Sequence, residues 1–172
     1  MDKRVAETND PDITAHYVNA MAGAAFGVSI VTTNGAAGRF GMTVSAISSV
    51  SAEPPILLAC INRKNSIAAA ITANARFTVN ILAQPHITLA KSFSGRPEEG
   101  STAYDFSDFA WHNLDDQFVI GDAAATFLCD LETHYDSGTH RIFLGRVFHA
   151  SHSGAAPLIY SHRKFGRFEE TD

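Results

Sequence analysis

No stretch of the chain approaches the roughly 20 apolar residues that a membrane-crossing helix needs. The polar start MDKRVAETNDPDITAHYV also has no apolar core of a secretory signal. A soluble, cytoplasmic protein is therefore expected, with residues 1–16 as a flexible N-terminal segment and one domain over residues 17–168. Cysteine is nearly absent. Cys60 and Cys129 each stand in an apolar run, LLACIN and TFLCDL, so two reduced, buried thiols are expected rather than a disulfide. Charged residues make up only 18%, and 18 acidic against 13 basic residues leave a net charge of −5. With no basic block beyond the C-terminal HRKFGRF, nothing marks a general nucleic-acid surface. Low charge beside 45% hydrophobic residues fits a surface partly covered by a second subunit, so a homo-oligomer is expected.

Several catalytic signatures are missing as well. The glycines of NGAAGRFG are spaced G-x-x-G-x-x-G, which matches neither the dinucleotide fingerprint nor a P-loop and reads as a hairpin turn. Eight histidines fall outside any H-x-x-x-H or H-E-x-x-H grouping, and no metal is assigned. No G-x-S-x-G elbow frames a serine, and the paired carboxylates Asp115-Asp116 and Glu169-Glu170 read as solvated turns or tails.

What is present is mostly strand. Apolar spacing predicts a short helix over Tyr17–Phe26, then a strand at VSIVTT that stops at the turn NGAAG. MTVSAISSVS reads as one strand, with Thr43, Ser45, Ser49 and Ser51 on one face and Met42, Val44, Ala46 and Val50 on the other. EPPILLACI reads as a strand buried on both faces, and NSIAAAITAN as a helix capped by Ser66. RFTVNIL is another strand, and QPHITLAKSF opens a helix at Pro85. Residues 94–116 read as an aromatic-rich loop folded over something, AATFLCDLETHY and HRIFLGRVFHAS as a long hairpin, and PLIYSHRKFGRF as a last strand. Strands outnumber helices and connections are short, so the expected fold is a mainly β antiparallel barrel with a few peripheral helices.

The segment from Gly38 to Ser66 combines three features. A hydroxyl-bearing strand face with exposed amides can donate to the polar edge of a flat heterocycle. Asn65 and Ser66, at a helix start, offer amides to a phosphate, and Arg63 and Lys64 add charge beside them. A capped helix with a basic loop and a Ser/Thr-rich outer strand would have the same sequence.

In order and spacing, AAFGVSIVTTNGAAGRFGMTVSAISSVSAEPPILLACINRKNS, FTVNIL, LAKSFSG, SGTHRIFLGRV and PLIYSHRKF resemble the short-chain flavin reductase-like family of FMN-binding split barrels. CIN, GTH and LIY look most like the reductase components of two-component monooxygenases such as 4-hydroxyphenylacetate 3-monooxygenase. The resemblance implies a homodimer that moves a hydride from NADH or NADPH to FMN or FAD and passes the reduced flavin by diffusion to a monooxygenase. It places the flavin edge at Thr43, Val44, Ser45 and Ala46, and the tail and phosphate at Ser49, Ser51, Asn62 and Ser66, with Cys60, Ile61, Arg63 and Lys64 as further cofactor-binding residues. It lays Phe93, Ser94, Gly95 and Arg96 over the ring, and puts His140 and Tyr160 on the nicotinamide side. Ala46 stands where many relatives carry a serine, and Gly166 where close relatives carry a histidine. A flavin-binding barrel without turnover, a pyridoxamine-phosphate-oxidase-like enzyme and a ligand-free structural dimer are the alternatives.

Overall fold

The computed structural model describes residues 11–171 except 108, 110 and 170. Of the segment expected to be flexible, residues 1–10 lie outside the described residues. Helix α1 (Ile13–Ala22) begins inside that segment and stops earlier than the spacing predicts, at Gly23.

The core of the fold is a seven-stranded antiparallel sheet. In chain order it contains β2 (Ser29–Thr33), β3 (Phe40–Val44), β4 (Ile47–Ala52), β5 (Pro55–Asn62), β6 (Arg76–Ile81), β9 (Ala125–Ser137) and β10 (His140–His152). In space the order is β3-β2-β6-β9-β10-β5-β4. β3 and β4 thus occupy opposite edges, although only Ser45 and Ala46 separate them in the chain. Three residue steps span at most about 11 Å, so the sheet must curl until its edges nearly meet. The Cys60 amide, donating to the Ala46 carbonyl at 2.9 Å, ties the seam. MTVSAISSVS is therefore two strands rather than one. The apolar and hydroxyl alternation runs across the break because Ser45 and Ala46 make the corner without a glycine or proline.

Two clusters fill the molecule. One, inside the curled sheet, contains Val31, Val79, Phe77, Phe143, Ile61 and Ile71. The other contains Ile30, Leu82, Leu89, Phe93, Ile120 and Leu158. Successive residues Ile30 and Val31 serve different clusters, which is why all five residues of β2 are buried. Helix α2 (Ser66–Asn74) seals the first cluster with Ile67, Ala68, Ala70 and Ile71, and its cap is Asn65 rather than Ser66. Helix α3 (Ile87–Ser92) contributes Leu89 and Ala90 to the second.

β5 is not buried on both faces. Leu57, Ala59 and Ile61 are buried, but Ile56, Leu58, Cys60 and Asn62 are only half-buried. The β9–β10 hairpin is as expected, turning at Gly138-Thr139. The aromatic-rich segment closes with a hairpin of its own, β7 (Trp111–Leu114) and β8 (Gln117–Ile120). Its turn residues Asp115 and Asp116 have φ of 52° and 61°, a geometry that aspartate tolerates. The C-terminal stretch is also a hairpin rather than one strand. β11 (Leu158–Ser161) turns at His162-Arg163 into β12 (Lys164–Arg167), and β11 pairs with the short β1 (Phe26–Gly27).

Candidate cofactor-binding site

Two segments face each other across the barrel seam: β3 running into Ser45, and the stretch from α3 to Phe106. Between them lies a cleft of about 570 Å³ whose lining includes Thr43, Val44, Ser45, Ser94, Arg96 and Tyr160. Six residues singled out in the sequence are thus brought together. Their contributions differ. Thr43 has both polar groups engaged, its amide on Phe93 O and its hydroxyl on Ala90 O, each at 2.8 Å. Among the described residues, the amides of Ser45 and Ala46 have no hydrogen-bond acceptor, and both residues are exposed. Two adjacent open donors at a barrel seam are what the polar edge of a ring would occupy.

Arg96 and Arg163 also line this cleft, and neither has an ion pair or hydrogen bond from its guanidinium among the described residues. Lys91, beside them, is drawn to Glu98 at 3.6 Å. The cleft therefore carries more unneutralised positive charge than negative. That balance suits a phosphate-bearing ligand.

Phe93 is fully buried. Its ring packs edge-on against Phe106 and Trp111 under Gly41, where an added Cβ would sit 2.6 Å from Phe93 Cε1. Phe93 thus meets β3 twice, with its ring at Gly41 and its carbonyl at Thr43. Gly95, at φ 76°, lies where a side chain would strike the Tyr104 hydroxyl at 2.6 Å.

The remaining predicted residues lie outside this cleft. Ser66 lines a second one, of about 470 Å³, with Asn65 and Met42. The Asn65 side chain contacts Met42 Sδ at 3.3 Å, so the start of α2 abuts β3 three residues before Ser45. At about 3.3 Å per residue that separation is near 10 Å, a reach suited to a ribityl chain. Asn62 shapes the basic turn: its Oδ1 accepts from the Lys64 amide at 3.0 Å and its carbonyl from the Asn65 amide at 3.0 Å. Arg63 is turned away to Asp136 at 3.2 Å, and Arg141 grips the same carboxylate at 2.6 and 3.1 Å. These bonds, the one from Arg141 foremost, hold the Asp136 carboxyl down to about 2. Ser49 is exposed and Ser51 half-buried on β4, while Ile61 is buried.

His140 lines neither cleft. It opens β10 directly opposite Asn62, with its Nδ1 2.8 Å from Thr139 Oγ1. By strand alternation it shares the outer face of the sheet with Cys60, Ile142, Leu58 and Leu144. Cys60, half-buried there, is a correction to the expectation of two buried thiols; Cys129 is buried as expected. Residues the sequence reading passed over are Arg39 and Asp105, which line the second cleft from loops, and Lys91 on α3 and Phe165 on β12, which line the first. For Asp105 the only signal was the aromatic density of residues 94–116.

A curled antiparallel sheet with open amides at its seam and a cationic cleft beside them is the architecture of a split barrel. The chain belongs to the flavin reductase like domain family, whose profile matches residues 21–169. It is 39% identical over 153 residues to a protein from Variovorax paradoxus named FMN reductase (NADH) RutF, covering 88% of this chain and 83% of the relative. It is 34% identical over 154 residues to the reductase component of a 4-nitrophenol 4-monooxygenase/4-nitrocatechol 2-monooxygenase from Rhodococcus opacus, covering 90% and 80%. Among solved structures, the NADH:FAD oxidoreductase SgcE6 of Streptomyces globisporus C-1027 superposes with a TM-score of 0.82 at 28% identity, covering 97% of this chain and 100% of that one. The mainly β fold read from the sequence agrees with that likeness.

Proposed function

We propose that the protein reduces FMN or FAD with NADH or NADPH as a cytoplasmic homodimer and releases the reduced flavin to a flavin-dependent monooxygenase. The domain that does so spans residues 17–168. The observation that carries the reading of the site is the open amide of Ser45, in the cleft that Arg96 and Arg163 make cationic, with the amide of Ala46 open beside it. Bound flavin supplies the acceptor for a hydride delivered by the nicotinamide, and no side-chain nucleophile is required.

The chain's own work is to bind, align and polarise. Ser45 and Ala46 donate to the pyrimidine edge, where negative charge collects on reduction, and as fixed donors they need no reorganisation. Asn65 and Ser66 meet the phosphate end, about 10 Å back along β3. Tyr160, packed edge-on against Phe165, walls the far side of the cleft. His140 and Asn62, on the outer face, orient the nicotinamide where a second subunit covers them, a positioning role that replaces a bimolecular encounter with an aligned one.

Dimerisation is supported by that outer face. Leu58 pairs with Leu144 and Cys60 with Ile142, all half-buried, and Tyr135 beside Ile142 is 59% exposed. Such a patch on a sheet suits an interface better than a solvated surface. Location in the cytoplasm agrees with two free thiols.

The test is anaerobic NADH and NADPH oxidation with FMN, FAD and riboflavin in turn, followed at the flavin absorbance band. Bleaching of flavin in step with nicotinamide oxidation is expected. Flavin binding without bleaching by either nicotinamide would make the protein a carrier instead.

A further inference from the structure

The turn that follows β5 and the turn that joins β9 to β10 meet at one residue. Arg63 donates from its amide to the Thr139 carbonyl at 3.0 Å and from its guanidinium to Asp136 at 3.2 Å. Asp136 is itself fixed. It lies directly across the ladder from Arg141, which grips both carboxylate oxygens at 2.6 and 3.1 Å and reaches the Thr72 hydroxyl on α2 at 3.3 Å. A two-pronged bond is rigid where a single one swivels, so Arg141 sets the carboxylate and the carboxylate sets Arg63. One acidic side chain thus joins the basic turn, the β9–β10 hairpin and the body of α2.

His140 stands inside this frame. It lies between Thr139 and Arg141 in the chain and opposite Asn62 in the ladder, it is exposed, and its ring contacts the hydroxyl of its own neighbour Thr139. Among the described residues, no hydrogen bond from the ring reaches the turn that leads from Asn62 to Ser66. The separation between ring and turn is therefore set by the backbone on either side, and Arg63 and Asp136 clamp that backbone. With side chains 46% and 38% exposed, the Arg63–Asp136 pair adds little to stability. Its effect is geometric, because the carboxylate is already immobile and a single further bond is enough to orient Arg63.

We propose that Asp136 is a positioning residue for hydride transfer, acting through Arg63 to keep His140 in register with the turn at the flavin tail. The inference rests on the reading of His140 given above, as the residue that orients the nicotinamide, and deepens it by naming what orients His140.

Stopped-flow reduction of flavin by NADH, with both saturating, compares the wild type with Asp136→Asn, His140→Ala and the double variant at a temperature where circular dichroism shows them folded. Asp136→Asn is expected to lower the limiting rate about tenfold through lost alignment, with the flavin Kd within about twofold of the wild type. In the His140→Ala background the same substitution should cost less than about threefold, because the residue through which it acts is gone. Arg63→Gln cuts the same bond and leaves the Asp136–Arg141 pair in place, so it carries the comparison should Asp136→Asn fail to fold. Arg63→Lys, which keeps one charged donor for a single bond, should recover most of that loss. A wild-type rate in both Asp136→Asn and Arg63→Gln overturns the proposal, as does a loss of about threefold or more that persists without His140. Tighter flavin binding in Asp136→Asn overturns it too, since Asp136 would then be withholding Arg63 from the ligand. If His140→Ala alone reduces flavin at the wild-type rate, the underlying reading of His140 falls and the proposal with it.

Discussion

The amide of Thr43 donates to the carbonyl of Phe93 at 2.8 Å, and the Thr43 hydroxyl reaches the Ala90 carbonyl, three residues earlier on α3, at the same distance. This pair of bonds bolts the edge strand of the barrel to the end of a helix. It holds β3 against the segment that forms the opposite wall of both clefts, and leaves the next amides, Ser45 and Ala46, open to a ligand.

Replacing Thr43 by valine keeps the shape and the amide bond but strands the Ala90 carbonyl. Stability should fall by about 1 kcal/mol, read as a lower urea midpoint at constant slope. An unchanged midpoint would mean the hydroxyl does nothing for the fold.

His140→Ala removes a side chain whose contact is the neighbouring Thr139 hydroxyl, so the barrel should keep its melting temperature. Flavin affinity should stay within about twofold, while the stopped-flow rate of flavin reduction by NADH falls about tenfold or more through lost alignment. Equal rates would take His140 out of the site.

The strands of the barrel were legible wherever periodicity and burial agree, as in RFTVNIL and the long β9–β10 hairpin. They were misread where the chain turns without punctuation. Ser45-Ala46 makes the seam with two small residues that continue the alternation on either side. His162-Arg163 turns at positive φ with no glycine, whereas Asp115-Asp116, read as a solvated turn, is one. The six candidate residues that share a cleft were recognisable because they sit on β3, on β11 or beside α3. Arg39 and Asp105 were not, since only the fold brings their loops to the second cleft. Asn65 displaced Ser66 as the cap because the cap position is set by backbone geometry, β-region at Asn65, and either side chain suits it.

Asp136 holds Arg63 and Arg141 at once, and its folded carboxyl titrates at about 2, below the ordinary 3.8. A depressed acid contributes stability that is fully present above its unfolded value and lost as pH falls through the folded one. The difference in melting temperature between wild type and Asp136→Asn should therefore be flat from about pH 8 to about pH 5 and shrink below about pH 4. A difference that grows on acidification would show that the shared carboxylate does not hold the turn.

Leu58 and Leu144 are cross-strand partners at the middle of the half-buried outer face. Glutamate at Leu144 would put a charge into any interface built there, and light scattering behind a sizing column should then find monomer where the wild type runs as a dimer. A wild type that is itself monomeric at micromolar concentration would remove this face as a subunit contact.

The two thiols report on the same surface from either side of the barrel wall. Burial, with Asp130 adding to it, pushes the Cys129 thiol up to about 12, so it is both shielded and almost wholly protonated at neutral pH. Cys60 is raised by burial as well, but it is half-exposed on the outer face beside Ile142. Because only a thiolate attacks an alkylating reagent, iodoacetamide at about pH 8 should modify Cys60 slowly and Cys129 only once denaturant opens the barrel. If a second subunit covers the outer face, Cys60 should react faster in the Leu144→Glu variant than in the wild type. Equal Cys60 rates in a dimeric wild type and a monomeric variant would place the subunit contact elsewhere. Native labelling of Cys129 at the rate of Cys60 would mean the barrel interior opens freely.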